Sequence, residues 1–350
     1  MKVEVDSHKL IYHPDRVAQW LSTGDCPPVY VEIGLTNRCN HRCIFCALDW
    51  LEKKPVFIDA DVLKERLTEM KDFGVRSVMF AGEGEPLMHP QAAEIIEHAY
   101  HAGLDLSVST NGVFFTPDMA RRILPCLKWI RISLDAASPI VHHQIHQGKI
   151  SDFETIYDNI VQASRLKREE DLSVVIGVQL LIIPENLHEI VSFTRLFAGS
   201  GADNVQIKPY SKHPLSINRF VIDPQLLTGV EEEIMAFEKE GFQVIFRSGT
   251  IDRLSEERIY DRCYGLPFYA LIEADGSVIP CNLYHENKEY TYGNCITGSF
   301  VDVWNGLQRK SVLKKIQDGG ISRCREVCRL DPVNRYLHAL KHPHPHVNFI

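Results

Sequence analysis

The chain has no apolar run long enough to cross a bilayer, and its first residues, MKVEVDSHKLIYHPDRV, contain no hydrophobic secretory core. It also has no concentrated run of Lys and Arg. Net charge is −8, from 38 basic and 46 acidic residues, so nothing marks a groove for nucleic acid. No internal repeat and no low-complexity linker interrupts the 350 residues. What remains is an ordinary globular composition, 45% hydrophobic and 24% charged, sufficient for one large α/β domain or one large and one small. The expected compartment is the cytosol. There, ten cysteines suggest metal or redox chemistry rather than disulfides.

Short β-rich runs alternate with amphipathic ones. Strands are expected at 29–35, 77–82, 106–112, 129–135, 173–183 and 204–210. Helices are expected at 58–74 (capped by Asp and closed by Gly), at 89–103, from Thr116-Pro117-Asp118, at 152–168 and near 185–199. This is βα repeated about six times over 29–240, which predicts a parallel sheet with helices outside, rolled into a partial (βα)6 barrel. Chemistry in such folds sits at the C-terminal strand ends, where the polar segments 82–86, 109–111, 133–135 and 208–210 fall. After about residue 245 the texture changes. PFYALIEADGSVIPC (267–281) predicts a hairpin turning at Asp275-Gly276, and 299–320 a helix. The expected layout is an N-terminal extension over 1–28, the barrel over 29–244, a small α+β domain over 245–335 and a tail over 336–350. The HPHPHVNFI ending is expected to be extended.

The stretch TNRCNHRCIFCALDW places Cys39, Cys43 and Cys46 just after the first strand. It lacks the second cysteine pair or the spaced histidine pair of a zinc finger. Three thiolates suit a [4Fe–4S] cluster with one iron left open to an external ligand. A partial zinc site or buried core thiols are the alternatives.

C-x₃-C-x₂-C after a first barrel strand resembles the radical S-adenosylmethionine superfamily, and the resemblance covers almost the whole chain. It implies S-adenosylmethionine chelated to the open iron and cleaved to a 5′-deoxyadenosyl radical that takes hydrogen from substrate. It also implies an electron donor such as flavodoxin or ferredoxin. AGEGEPL resembles the family's Gly-Gly-Glu-Pro segment, so Gly84, Glu85 and Pro86 are expected to bind the methionine moiety. Glu83 stands in for the first glycine, which is acceptable only with a negative φ. Phe45 matches the aromatic near adenine. STNG and SLD put Ser109, Asn111, Ser133 and Asp135 in the cofactor lining, although Asn111-Gly112 is equally a turn signal. Gln179 and Lys208 are candidates for the barrel mouth whose facing the sequence leaves open. No catalytic acid or base is assigned.

Cys263, Cys281, Cys324 and Cys328 resemble the ligands of the family's C-terminal auxiliary-cluster domain, called twitch in its short form and SPASM in its longer one. That implies a single auxiliary [4Fe–4S] cluster, although the last pair is spaced C-x₃-C where C-x₂-C is commoner. Cys295, Cys26 and Cys126 are expected to be structural. A closed auxiliary cluster implies electron transfer, hence a net two-electron oxidation such as alcohol to ketone. Only 28 residues precede the first strand, too few for the leader-binding domain of many peptide-modifying relatives. The expected substrate is therefore a small polar metabolite such as a sugar, aminocyclitol or nucleoside derivative. A peptide or protein maturase is the alternative within the family. A non-catalytic iron–sulfur or zinc protein is the alternative of another class.

Overall fold

The computed structural model describes residues 8–51, 54–247 and 257–349. Seven parallel strands neighbour one another in chain order: β1 (Tyr30–Ile33), β2 (Ser77–Phe80), β3 (Asp105–Thr110), β4 (Leu127–Ser133), β5 (Val175–Ile182), β6 (Asn204–Pro209) and β7 (Gln243–Phe246). The first six match the expected ones. β7 is additional, a four-residue strand at the point where the sequence suggests that the barrel ends.

The helices are α1 (Pro14–Thr23), α2 (Ala60–Phe73), α3 (Ala92–His101), α4 (Pro117–Ile123), α5 (Pro139–His146), α6 (Asp152–Glu169), α7 (Ile190–Ala198) and α8 (Val230–Met235). The Asp59 side chain caps α2 by accepting from the Asp61 and Val62 amides, and Gly74 closes it at φ 111°. Thr116 caps α4 in the same way, accepting from the Met119 amide. α5 was not anticipated, because SPIVHHQIH is short and its three histidines blur the apolar stripe.

Strand alternation separates two faces. Val31, Val78, Val108, Ile130, Ile132, Val178 and Ile207 belong to the main core, which also takes in residues of the surrounding helices. Glu32, Ser107, Ser109, Arg131, Ser133, Gln179, Gln206 and Lys208 alternate with that set and point to the other, inner face. The interior of this partial barrel is thus polar along most of its strands.

The C-terminal part does not form a sheet of its own. β8 (Tyr269–Ile272) lies parallel to β1, with Tyr30 opposite Tyr269 and Ile33 opposite Ile272. β9 (Ser277–Ile279) and β10 (Gly293–Asn294) follow antiparallel, giving one sheet in the order β10-β9-β8-β1-β2-β3-β4-β5-β6-β7. The uninterrupted apolar YALI of β8 fits this place, since all four residues are buried. The expected hairpin is present and turns at Gly276, where φ is 85° and a Cβ would lie 2.4 Å from Ile296.

The single helix expected over 299–320 is two, α9 (Phe300–Asn305) and α10 (Leu307–Asp318), broken where Gly306 is extended at φ −65° and ψ 154°. α11 (Asp331–Lys341) runs through the boundary expected at 335. The tail beyond it is exposed and forms turns, with the Val347 amide bonded to His344 O, rather than an extended strand. The N-terminal extension is packed. Leu10, Val17 and Trp20 join Tyr260, Tyr264, Phe268 and Leu337 in a second cluster, and Asp25 takes Arg309 in a two-pronged ion pair at 2.7 and 2.8 Å. Among the described residues, no helix is long and apolar enough to cross a membrane.

Candidate active site

The chain leaves β1 and crosses the strand ends through Cys39, Cys43 and Cys46. Burial pushes the Cys39 thiol up to about 11 and the Cys43 thiol higher still, with Cys39 and Cys46 adding to the shift of Cys43. Three neighbouring thiols that are costly to ionise alone suit a group that supplies positive charge and takes thiolates.

The loop is held from several sides. Asn111 Nδ2 donates to Asn40 Oδ1 at 2.7 Å and lies 3.9 Å from Cys39 Sγ. The Arg42 and Ile44 amides donate to the carbonyls of His146 and Ile145 at the end of α5, both at 2.9 Å. His146 places Nδ1 3.2 Å from Cys43 Sγ and Nε2 2.9 Å from Leu134 O. Phe45 meets the His146 ring edge-on at 5.2 Å. His142 stacks on His146 at 4.4 Å, and burial, reinforced by His146 and His41, keeps it neutral.

Gly84 lies against this loop. A Cβ there would stand 2.3 Å from Arg38 O and 2.5 Å from Thr36 O, so only glycine fits. Glu83 is not among the described residues with positive φ; the left-handed position is Gly82, at 120°. Glu83 thus keeps a side chain without backbone strain, and its Oε2 accepts the Ala274 amide of the hairpin at 3.1 Å. Glu85 is buried, and protein donors engage both its oxygens. Oε1 accepts from Thr110 Oγ1 at 2.6 Å and the Leu87 amide at 3.1 Å, and Oε2 from the Asn111 amide at 2.7 Å. Burial raises its carboxyl to about 7 against the pull of these donors. The Glu85 side chain therefore fastens the β2 loop to the end of β3. Pro86 opens the short helical turn that follows.

Ser109 and Ser133 lie on the inner face, and Ser133 Oγ accepts from Gln179 Nε2 at 3.4 Å. Asp135 is fully buried at φ 60°. Its Oδ1 accepts the Leu181 amide at 2.6 Å, and its Oδ2 lies 3.4 Å from His146 Nε2. The structure thus links Asp135 to the histidines behind the cysteine loop. Gln179 and Lys208 both face inward.

A cavity of about 560 Å³ is lined on the barrel side by Met79, Trp129, Arg131 and Lys208, and none of Cys39, Cys43 and Cys46 borders it. Phe45 of the cysteine loop borders it, as do Cys263, Cys281, Cys324 and Cys328. Burial pushes Cys263 up to about 12, with Cys328 and Cys324 adding, and burial likewise raises Cys281, with smaller contributions from Cys328, Cys263 and Cys324. The C-x₃-C pair thus borders the same cavity as Cys263 and Cys281 despite its spacing. Cys295, Cys26 and Cys126 lie apart, with sulfurs 3.4, 3.6 and 3.8 Å from the carbonyls of Gly276, Pro267 and Arg122. All ten cysteines are unpaired.

Several site residues escape sequence reasoning. Asp49 accepts from Ser216 Oγ, the Ile217 and Asn218 amides and Asn218 Nδ2, between 2.7 and 3.2 Å, and so clasps the cysteine loop to the segment after β6. Arg329 pairs with Glu32, joining the last cysteine loop to β1. Neither partner pair has a local pattern. Arg131 was legible in principle, since WIRIS alternates Trp129, Arg131 and Ser133 on one face.

A parallel barrel that carries three cysteines in the loop after its first strand, with four more bordering a cavity that also takes in Phe45 of that loop, is an arrangement suited to iron–sulfur chemistry. The chain belongs to the radical SAM superfamily. That superfamily's model matches residues 33–197, and the SPASM model, an iron-sulfur cluster-binding domain, matches residues 263–329. The superfamily domain brings a [4Fe–4S] cluster and S-adenosylmethionine, and the second domain brings auxiliary iron–sulfur binding. The chain is 24% identical over 294 residues to the tungsten-containing aldehyde ferredoxin oxidoreductase cofactor-modifying protein of Pyrococcus furiosus, covering 79% of this chain and 80% of that one. It is 23% identical over 314 residues to the antilisterial bacteriocin subtilosin biosynthesis protein AlbA of Bacillus subtilis, covering 87% of this chain and 64% of that one. In fold it is similar to SuiB of Streptococcus suis, solved bound to the precursor peptide SuiA, with a TM-score of 0.66 and 16% identity over 96% of this chain and 78% of that one.

Proposed function

We propose that Cys39, Cys43 and Cys46 hold a [4Fe–4S] cluster with one iron open to S-adenosylmethionine, that Cys263, Cys281, Cys324 and Cys328 hold a closed auxiliary [4Fe–4S] cluster, and that a small polar metabolite reacts between them. The observation that carries this is the shared cavity: Phe45 of the first cysteine loop and all four C-terminal cysteines border one space of about 560 Å³, the size of a small-molecule site. Such clusters would supply one-electron chemistry, the first for reductive cleavage of S-adenosylmethionine and the second as an electron acceptor.

The chain's own residues position these partners. Gly84 lets the β2 loop close onto the cysteine loop. Because both Glu85 oxygens are engaged, the 84–86 segment offers the methionine moiety its backbone, while Glu85 holds that backbone in place. Phe45 offers an apolar face for adenine. Asn111 steadies the loop at Asn40, Ser109 and Ser133 line the inner face, and Asp135 anchors the strand ends behind it. The electron donor would be a flavodoxin or ferredoxin of the cytosol.

The test is anaerobic reduction of the iron-loaded protein with S-adenosylmethionine. 5′-Deoxyadenosine should form in the wild type and not in Cys43→Ala. Formation at an equal rate in the variant would sink the assignment. The similarity to AlbA favours a second reading, modification of a peptide. Intact-mass analysis separates the two: loss of two hydrogens from a candidate peptide would replace the small-molecule reading.

A further inference from the structure

The cavity's described lining is lopsided in charge. Five cationic side chains border it, Arg131, Lys208, Arg247, Arg325 and Arg329, and none of its lining residues is Asp or Glu. Two of the five sit beside the auxiliary thiols and have partners. Arg329 pairs with Glu32, and Arg325 donates to Ser211 O at 2.5 Å. Their charge also offsets that of thiolates when a cluster is bound.

Arg131 and Lys208 are different. They come from the inner faces of β4 and β6, on the barrel side of the cavity. Arg131 stacks its guanidinium 4.8 Å from the Trp129 ring, its buried Nε, like that of Arg325, has no hydrogen-bond partner, and among the described residues no other bond reaches its guanidinium. Among the described residues no hydrogen bond or ion pair reaches the Lys208 ammonium. Burial, then the cationic Arg131 and Arg247, lower Lys208 to about 7, while the carboxylate of Asp135 acts the other way. Two cations that line one half-buried chamber and repel each other, neither with a hydrogen-bonded or ion-paired partner among the described residues, are unfavourable by themselves. An oxyanion between them would remove that conflict, since both groups donate only and a planar guanidinium matches two oxygens at once.

We propose that Arg131 and Lys208 form an anion-binding wall in the substrate cavity, and that the substrate is a small molecule anchored there by a phosphoryl or carboxylate group. This rests on the reading of the cavity as the substrate site, and narrows it from a polar metabolite to an anionic one. The anchor would hold the charged end on the barrel strands and leave the rest of the molecule between Phe45 and the four cysteines.

The test titrates the iron-loaded protein, with S-adenosylmethionine present, with inorganic phosphate and separately with succinate by calorimetry. Binding of at least one is expected, weakened tenfold or more in each of Arg131→Met and Lys208→Met and partly restored in Arg131→Lys. Lys128→Met, an exposed change on the same strand, should bind as the wild type does. Iron content and absorbance of each variant report folding. Phosphate binding over succinate identifies a phosphoryl anchor, and the reverse a carboxylate; either supports the proposal. No binding of either ion, binding indifferent to both substitutions, or binding only of long acidic peptides overturns it. 5′-Deoxyadenosine formation is measured on the same samples. If it occurs and no ion binds, the anion wall alone fails; if it does not occur, the functional reading fails whatever the titration gives.

Discussion

Gly84→Ala should disable the cysteine loop while leaving the fold standing. The added Cβ would sit 2.3 Å from Arg38 O and 2.5 Å from Thr36 O, where real carbon contacts essentially never fall below 3.0 Å. The Arg38 carbonyl must therefore retreat by about 0.7 Å. It cannot do so cheaply, because both obstructing atoms are backbone. Arg38 O accepts the Glu85 amide at 2.8 Å, and a shift of that size stretches the bond to the edge of existence. Thr36 is fixed by its bridge to Phe57 and by a 2.6 Å bond from its hydroxyl to Val56 O. Overpacking of about 1–3 kcal/mol plus one hydrogen bond of about 1 kcal/mol gives a loss on the order of 2–4 kcal/mol. The functional effect is larger in proportion, since Arg38 adjoins Cys39. Misplacement approaching 1 Å at a reacting centre costs about a hundredfold in rate. The assay is 5′-deoxyadenosine formation under anaerobic reduction, with iron content measured on the same protein. A comparison variant, Gly24→Ala, carries left-handed strain at φ 79° but meets nothing within 4 Å. It should lose about 1–2 kcal/mol of stability and no turnover. If Gly84→Ala forms 5′-deoxyadenosine within threefold of the wild type, the close packing of the two loops does not matter for the chemistry and the reasoning fails.

Cys281→Ala should lower iron from about eight to about four atoms per chain and still form 5′-deoxyadenosine, while losing substrate oxidation; retained oxidation would make the second thiol group structural. Asp49→Ala removes an acceptor for four donors on 216–218 and should raise hydrogen exchange there tenfold or more, with strands β1–β4 unaffected. Lys208→Met should stabilise the protein against urea, and more so at pH 7 than at pH 10. The folded Lys208 titrates near 7, below its ordinary 10.5, so between those values the unfolded chain binds more protons and wild-type stability rises with pH. The gain should be a few kcal/mol at most at neutral pH; an equal effect at both pH values would place Lys208 in solvent.

The sequence made the barrel readable because each of its first six strands carries apolar residues on the helix-facing side, as Val108, Ile130, Ile132, Val178 and Ile207 do. Asp59, Gly74 and Thr116 announce their helix ends through capping chemistry that is local. The cysteine loop was equally legible, since three thiols within eight residues require no knowledge of tertiary structure. What depended on distant partners was not. YALI reads as a hairpin strand, and nothing local says that it pairs with β1. Glu85 reads as a cofactor ligand, and nothing local says that Thr110 and the Asn111 amide also donate to its oxygens. Lys208 had two possible faces by periodicity alone, and the register of Leu181 opposite Lys208 together with the cavity lining decides it. His146 lies on a helix with no strong sequence signal, yet it stands 3.2 Å from Cys43 Sγ.

The most direct measurement is electron paramagnetic resonance of the reduced, iron-loaded protein with and without S-adenosylmethionine, on the wild type, Cys43→Ala and Cys281→Ala. Two cluster signals are expected, of which S-adenosylmethionine shifts only one. The shifted signal should be missing from Cys43→Ala and the unshifted one from Cys281→Ala. A protein whose signals ignore S-adenosylmethionine, or in which both variants lose the same signal, would contradict one open and one closed cluster.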